Sequence, residues 1–107
     1  MSAILAKTQK VLYILRMLSI AEHIKQICAI FTDTLGIDDS RNLSFEVDIT
    51  KDMTKGDLYT NLPFVLSKKL TKNPVAIAID LHTYLENNLD RTLVEKVEVA
   101  GGYVNFW

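Results

Sequence analysis

The sequence predicts an α+β domain in which helices pack on one face of a small, mainly antiparallel sheet. Apolar residues recur every three or four positions across 11–35, alternate with polar ones across 43–49, and flank a Gly-Gly pair at 101–102. These patterns are typical of a helix, a half-buried strand and a β-hairpin, respectively. With 107 residues, 49% of them hydrophobic, the chain is predicted to build one core and a single domain over 1–107.

The first element is a long helix. Its spacing predicts a start near Ala3 or Thr8 and an end at Leu35, with Gly36 as the C-cap candidate. The positions expected to face the core are 11, 14, 15, 18, 21, 24, 27, 28, 31 and 35. The stretch IDDSRN that follows is predicted to be a loop.

The N-terminal stretch is interpreted as structure rather than as a targeting or membrane segment. Its longest uncharged apolar run, 11–15, ends at Arg16, far short of the roughly 20 residues that span a bilayer. No acidic residue precedes Glu22, as in a mitochondrial presequence, but one arginine and few serines make that the less favoured alternative. The single cysteine, Cys28, excludes an internal disulfide and favours a reducing compartment, so we expect a cytoplasmic protein.

The middle of the chain alternates between short elements. The residues of 43–49 are predicted to form a strand, and the polar stretch TKDMTKGDLY to form a connection with a sharp turn at Gly56. A second helix is expected to start at Thr60 or Asn61. A third should be capped by Asn73, with Pro74 at its first position, and should end near 87–88.

The C-terminal segment is predicted to be a β-hairpin. Taking Gly101 and Gly102 as a turn in which both have positive φ fixes the register of the two strands. The expected pairs are Ala100 with Tyr103, Val99 with Val104, Glu98 with Asn105, and Val97 with Phe106. This register puts the valines and Phe106 on the core face and leaves Tyr103, Asn105 and Trp107 on the other face.

A phenol ring beside an amide on an exposed strand suits a nucleobase. The ring of Tyr103 can stack on the base while the amide of Asn105 reads an edge of it. The alternative is that tyrosine favours strands in general and packs against another element.

Three stretches, in this order, resemble the N-terminal additional domain of arginyl-tRNA synthetases. FEVDITKDMTKGDLYTN is similar to a strand leading into the family's G-D-Y-x-x-N motif, and LSKKLTKNPVAIAIDL resembles its L-A-K-K-L-x-x-x-P-x-x-I-A segment. VEVAGGYVNFW resembles V-E-x-A-G-P-G-F-I-N-F. The resemblance covers 45–107, and the long first helix agrees only in layout.

The resemblance implies a domain that contacts the D-loop at the elbow of arginine tRNA and supports aminoacylation by the parent synthetase. An aromatic residue and an amide of the last hairpin would hold the base at position 20, and these correspond to Tyr103 and Asn105. Lysines between 51 and 72 give a local excess of positive charge for phosphates, although the helical ones also fit a solvated face. The weaker expected contacts are Lys55, Tyr59, Asn61, Lys68, Lys69 and Lys72.

The sequence departs from the family pattern at two places. The proline usually found between the two hairpin glycines is missing, which shortens the loop by one residue. Leu58 occupies the usual tyrosine position of the G-D-Y motif, and Tyr59 falls one place later. Asp57 and Asn61 match the motif and are interpreted mainly as turn and cap residues.

No catalytic pattern is found in the sequence. The H-x-G-H signature of the family's catalytic domain and its lysine-serine loop for ATP are both absent. His23 and His82 have no ligand-spaced neighbours, so no metal site is expected. We therefore expect ATP and magnesium to belong to the catalytic domain of the parent, from which a chain stopping at Trp107 has been cut or truncated.

The expected partners are arginine tRNA and that catalytic domain, with no membrane and no DNA. One rival interpretation is a protein-interaction module that uses the exposed edge of the terminal strand and the ring of Trp107. Another is a stand-alone relative that binds other structured RNAs.

Overall fold

The computed structural model describes residues 2–37 and 43–107, so most of the loop predicted at IDDSRN lies outside the described residues. A long helix opens the chain, and two shorter helices separate two pairs of short strands. The elements are α1 (Ser2–Thr34), β1 (Val47–Ile49), a 3₁₀ turn (Met53–Lys55), β2 (Leu58–Thr60), α2 (Leu62–Leu70), α3 (Pro74–Asn88), β3 (Val97–Ala100) and β4 (Tyr103–Phe106).

The four strands form one antiparallel sheet in the order β1-β2-β4-β3. The hairpin of β3 and β4 has the predicted register, from Ala100 opposite Tyr103 to Val97 opposite Phe106. β4 also pairs with β2 along its other side. The prediction that the terminal strand offers an open edge is therefore wrong, because β1 and β3 are the edge strands.

β2 was not predicted as a strand. It is three residues long and follows directly on a polar turn, and three residues are too few to show a period of two. In the structure Leu58 and Thr60 point into the core, whereas Tyr59 lies on the opposite face. β1 is likewise shorter than predicted, since only Val47–Ile49 of the alternating run pairs with β2.

The helices cover one face of the sheet, which confirms the predicted α+β architecture. Val104 and Phe106 of β4 and Leu58 of β2 are at most 2% exposed. The helices contribute completely buried residues to the same core: Ile24, Cys28, Leu62, Leu66, Ala78, Leu81 and Leu85. As predicted, Asn73 caps α3: its Oδ1 accepts a hydrogen bond from the N–H of Val75 at 2.8 Å, and Pro74 is the first helical residue.

α1 faces the core with a smaller part of its length than predicted. Its buried apolar residues begin at Met17 and continue through Ile20, Ala21, Ile24, Cys28 and Phe31. Positions 11, 14, 15, 18 and 35, which were expected to face the core, are exposed instead. Gly36 follows the helix with φ 70°, as expected for a C-terminal glycine. No helix within the described ranges is long and apolar enough to cross a membrane.

Burial of Cys28 gives a direct probe of global unfolding. Desolvation raises the pKa of its thiol to about 12, above the ordinary value of 9.0. Since the thiolate is the reactive form, we expect labelling by a thiol reagent to be slow in buffer and to follow global unfolding in urea. Because the folded-state pKa is raised, this group contributes stability that is fully present below about pH 9 and is lost as the pH rises toward 12. Rapid labelling under native conditions would contradict this burial.

Candidate nucleic-acid interface

The site candidates meet on the outer face of the sheet, away from the helices. Tyr59 of β2 lies opposite Asp48 of β1 on one side and opposite Asn105 of β4 on the other. Asn105 in turn lies opposite Glu98 of β3. Because side chains alternate along a strand, Tyr103 shares this outer face with Asn105. We call the row formed by Asp48, Tyr59, Asn105 and Glu98 the outer row.

Tyr103 projects beside the outer row and is 45% exposed. The ring centroid of Tyr59 lies 6.0 Å away, in an edge-to-face arrangement. The ring of Phe64, from the first turn of α2, lies 4.9 Å away and is also tilted edge-on. Such aromatic contacts are favourable, so Tyr103 is held from two sides while nearly half of it remains accessible.

Phe64 explains the second hairpin glycine. A Cβ added to Gly102 would lie 2.5 Å from Cζ of Phe64, so any other residue there would force that ring to move. Gly101, by contrast, has φ 63° and open space around its Cα. The expectation that both glycines adopt positive φ is wrong, because of the two only Gly101 does so.

Substitution of Gly102 by alanine is expected to change the contact between the rings of Phe64 and Tyr103. Its effect on the free energy of unfolding should be small. The added methyl displaces the ring of Phe64, which is 38% exposed and free to move outward, and so removes its contact with Tyr103. We expect altered ring-proton shifts of Tyr103 by NMR. Gly101→Ala is the control for strain in the turn, because its positive φ is unfavourable for alanine while its methyl meets no atom within 4 Å. Unchanged Tyr103 shifts in Gly102→Ala would contradict the coupling between the two rings.

Asn105 combines burial with an unused amide. The residue is 6% exposed, yet no hydrogen bond joins its side-chain amide to any residue in 2–37 or 43–107. An amide carries two donors and an acceptor oxygen, and since no buried side-chain nitrogen or oxygen of the described residues lacks a partner, this amide is open to solvent. Asn105 lines a surface concavity, so a ligand seated there can supply the hydrogen bonds that the protein does not.

The concavity lies over the outer row and has a volume of about 640 Å³. Its floor is the sheet, with Tyr59, Tyr103 and Asn105, and its wall is the connection between β1 and β2. The volume falls within the roughly 300–1,000 Å³ typical of small-ligand sites. A flat heterocycle therefore has both room and an exposed aromatic partner.

The charges around the concavity disfavour a phosphate at its centre. Asp48, Asp52 and Glu98 line it together with Lys51 and Lys55, three acidic against two basic residues. Carboxylates repel phosphate oxygens, but they accept hydrogen bonds from the amino groups of bases. The arrangement favours a base inside the concavity with its phosphates outside.

Tyr59 contributes a hydroxyl that stays protonated at neutral pH. Its O–H donates to Oε2 of Glu46 at 3.4 Å. Desolvation raises its pKa, and the negative charges of Glu46 and Asp48 add to this increase. Tyr59 thus belongs to the floor of the concavity, rather than to the loop predicted for the stretch TKDMTKGDLY.

The lysines expected to contact RNA do not form one cluster. Lys55 lines the concavity, whereas Lys68 and Lys69 are exposed on α2 and Lys72 follows that helix. Lys68 lies one turn beyond Phe64 on α2, so it is on the same face of that helix as the ring that contacts Tyr103. Nζ of Lys72 forms an ion pair with Asp80 at 3.2 Å, which makes it a weaker candidate.

The G-D motif shapes the turn that positions β2 against β4. Gly56 has φ 101°, and a Cβ there would lie 2.6 Å from the carbonyl oxygen of Phe106. The backbone N–H of Asp57 donates to that same oxygen at 2.8 Å. The Asp57 carboxylate accepts a hydrogen bond from the Tyr13 hydroxyl at 3.2 Å, which ties α1 to the turn.

Asn61 occupies the N-cap position of α2, but its side chain makes no capping hydrogen bond. Its Oδ1 accepts from the backbone N–H of Glu46 at 2.7 Å and so holds the chain entering β1. The hydroxyl of Thr60 instead accepts from the N–H of Leu62 at 3.2 Å. The expectation that Asn61 caps the helix through its side chain is therefore wrong.

Both histidines have structural partners. Nε2 of His23 accepts from the backbone N–H of Asp90 at 3.2 Å, and Nε2 of His82 lies 3.0 Å from the carbonyl oxygen of Val97. Within the part of the chain that the structure describes, no three His, Cys, Asp or Glu side chains converge as metal ligands do.

Sequence reasoning missed Phe64 and the two carboxylates of the outer row. Glu98 was already opposite Asn105 in the predicted register, and Asp48 alternates with apolar neighbours, so both were accessible to pattern analysis. Phe64 carried no such signal, because its role depends on how α2 packs beside β4.

Comparison with known proteins supports the expected relationship. Residues 18–107 match the family model described as the arginyl tRNA synthetase N terminal domain. The chain is 44% identical to the arginine–tRNA ligase of Carboxydothermus hydrogenoformans over 72 residues, or 66% of this chain and 12% of that protein. It is 38% identical to the ligase of Malacoplasma penetrans over 61 residues, or 57% of this chain and 11% of that one.

A solved structure shows the same fold. The arginyl-tRNA synthetase of Thermus thermophilus matches 82% of this chain and 13% of its own, with a TM-score of 0.59 and 31% sequence identity. The chain thus spans only about 10–12% of the length of the curated relatives it matches.

Proposed function

Because this chain belongs to the family of arginyl-tRNA synthetase N-terminal domains, we propose that it binds arginine tRNA and so supports aminoacylation by a catalytic domain of the same parent protein. The observation that carries the proposal is the pairing of an exposed ring, Tyr103, with the unused amide of Asn105 over one concavity. The relatives named above are arginine–tRNA ligases, which supports the choice of tRNA.

The proposed mode of binding separates base recognition from phosphate contact. An unstacked base of the D-loop, at position 20 by resemblance to the family, enters the concavity, stacks on Tyr103 and hydrogen-bonds to Asn105. Phosphates on either side of it lie near Lys55 and Lys68, outside the acidic outer row. Stacking supplies sequence-tolerant affinity, and the amide supplies the choice of base.

The proposal assigns the chemistry to the rest of the parent protein. ATP and magnesium would bind to its catalytic domain, because this chain contributes neither a phosphate-cradling glycine loop nor the family's catalytic signature. We place the parent protein in the cytoplasm, because the single cysteine of this chain, Cys28, favours a reducing compartment. This domain would add affinity and tRNA selectivity, as an appended module does through effective concentration.

The test is a titration of the chain with arginine tRNA at low salt, followed by fluorescence anisotropy. Wild type is compared with Tyr103→Ala/Asn105→Ala and with a tRNA altered at position 20. The matched control is Asn87→Ala/Leu93→Ala, which removes an exposed amide and an exposed apolar side chain elsewhere. Saturable binding that is lost with the altered site or the altered base, and kept in the control, supports the proposal.

Two outcomes contradict it. Binding that is unchanged by both alterations would leave only phosphate contact by lysines. Equal competition by unrelated structured RNAs would favour a general RNA binder over a domain that selects arginine tRNA. Within the terminal hairpin β4 is paired on both sides, so the rival interaction module would have to use the open edge of β3.

A further inference from the structure

α1 presents apolar side chains both to the core and to solvent. Toward the core, its buried residues run from Met17 to Phe31. In the preceding half of the helix, apolar side chains face solvent, and each of the following is more than half exposed: Leu5, Val11, Leu12, Leu15 and Leu18. A soluble helix normally has one apolar face, so the exposed one requires a separate explanation.

The two faces differ in direction as well as in position along the helix. Residues of an α-helix are about 100° apart around its axis. Val11, Leu15 and Leu18 therefore lie within about 60° of one another and on average about 130° away from Ile24 and Cys28, whereas Leu5 and Leu12 point in a third direction. We call Val11, Leu15 and Leu18 the outer stripe.

The outer stripe ends where the helix begins to pack on the domain. Continuing the same line toward the C-terminus leads to Glu22, Gln26 and Asp33, which are polar and exposed, as expected on the solvent side of a packed helix. The apolar face of α1 thus changes sides near Leu18. The buried apolar residues of 17–31 pack on this domain, whereas the outer stripe is left uncovered by it.

The outer stripe extends beyond the body of the domain. A helix of 33 residues is about 50 Å long, close to the 54 Å longest extent of the molecule, whereas the other two extents are 26 and 23 Å. The family match begins only at residue 18. Most of the stripe therefore precedes the matched region, and it lies on the exposed side of α1.

We propose that the outer stripe is a self-association surface, which pairs antiparallel with the outer stripe of a second copy of this chain. The spacing of Val11, Leu15 and Leu18 by four and three residues is that of a seam between two helices. Because the outer stripe lies about 130° around the helix from the residues that pack on the domain, a partner helix can approach it from the exposed side of α1.

The charges favour the antiparallel arrangement. Lys7, Lys10 and Arg16 are the only charged side chains before Glu22. A parallel pair would set each of these cations beside its own copy. An antiparallel pair centred between residues 14 and 15 puts Val11 against Leu18 of the partner subunit, and Lys7 against Glu22 of the partner subunit.

This inference is independent of the proposed function. The outer stripe and the concavity are built from different elements on different sides of the domain, so pairing leaves Tyr103 and Asn105 accessible. A dimer would carry two concavities.

The test is sedimentation velocity on the 107-residue chain over a wide range of protein concentration. We expect a reversible monomer–dimer equilibrium. Leu15→Lys should raise the dissociation constant by roughly a hundredfold or more, because two leucines are lost from the centre of one interface. Ile30→Lys is the matched control: Ile30 is half exposed on the same helix but lies beyond the outer stripe, so its replacement should leave the equilibrium unchanged.

A charge exchange tests the antiparallel register. Lys7→Glu and Glu22→Lys should each weaken the dimer by a few-fold, because either change alone gives positions 7 and 22 the same charge across the interface. The two changes combined in one chain restore opposite charges at these positions and should restore the dimer. Circular dichroism confirms that every variant is folded.

Several outcomes would overturn the inference. These are a wild-type chain that is monomeric at all concentrations, a dimer unaffected by Leu15→Lys, or one equally disrupted by Ile30→Lys. Binding of a monomeric chain to vesicles of anionic phospholipid, abolished by Leu15→Lys, would assign the outer stripe to a lipid surface instead.

Discussion

Replacing Tyr103 with alanine is expected to weaken binding of arginine tRNA by about 1–3 kcal/mol, the amount that stacking of a base on an aromatic ring contributes. The ring is 45% exposed and is held by Tyr59 and Phe64. The Tyr103 side chain therefore loses little conformational entropy when a base binds. Anisotropy titrations measure the change in dissociation constant.

Tyr103→Phe is the matched control, because it keeps the ring and removes only the hydroxyl. We expect it to bind nearly as well as wild type. Lys55→Ala should instead reduce the dependence of affinity on salt concentration, since a lysine near phosphates acts through counterion release. A folded Tyr103→Ala variant with wild-type affinity, or a Phe variant as weak as the alanine variant, would contradict stacking by this ring.

Gly56→Ala is expected to destabilise the domain by about 2 kcal/mol or more. Its φ of 101° is unfavourable for any residue with a Cβ, and that Cβ would lie 2.6 Å from the carbonyl oxygen of Phe106. The obstacle is backbone, so relief requires β4 to move and the hydrogen bond from Asp57 to Phe106 to weaken. Urea denaturation measures the change in the free energy of unfolding.

Gly101→Ala separates the two causes of this effect. Gly101 also has positive φ, at 63°, but no atom lies within 4 Å of an added Cβ. Replacing Gly101 with alanine should lower the free energy of unfolding only by the cost of placing a Cβ at positive φ, about 1 kcal/mol. Equal losses in the two variants would show that the contact with Phe106 is unimportant.

Sequence patterns predicted the hairpin correctly because its pairing is local. The Gly-Gly turn fixes which residues face each other, and an apolar quartet on one side confirms the register within eleven residues. Tyr103 and Asn105 could therefore be assigned to the outer face without knowledge of the rest of the fold.

The parts of the site that were not predicted depend on contacts between distant segments. β2 becomes a central strand only because β1 and β4 approach it from both sides, and Phe64 reaches Tyr103 only because α2 packs beside the hairpin. On α1, a regular spacing from 11 to 35 does not reveal that the apolar face changes sides near Leu18. The spacing of apolar residues predicts a helix, but it does not say which part of the protein packs against each face of that helix.

The interior position of β4 has a consequence for dynamics. Local opening that frees Tyr103 and Asn105 must break hydrogen bonds to β2 and β3 together, so these residues share the exchange protection of the sheet rather than that of a surface loop. Any ligand that requires them both is then bound by the folded state alone. Its binding should raise the midpoint of thermal unfolding in proportion to the logarithm of its concentration, so a melting curve can report on the occupancy of this face.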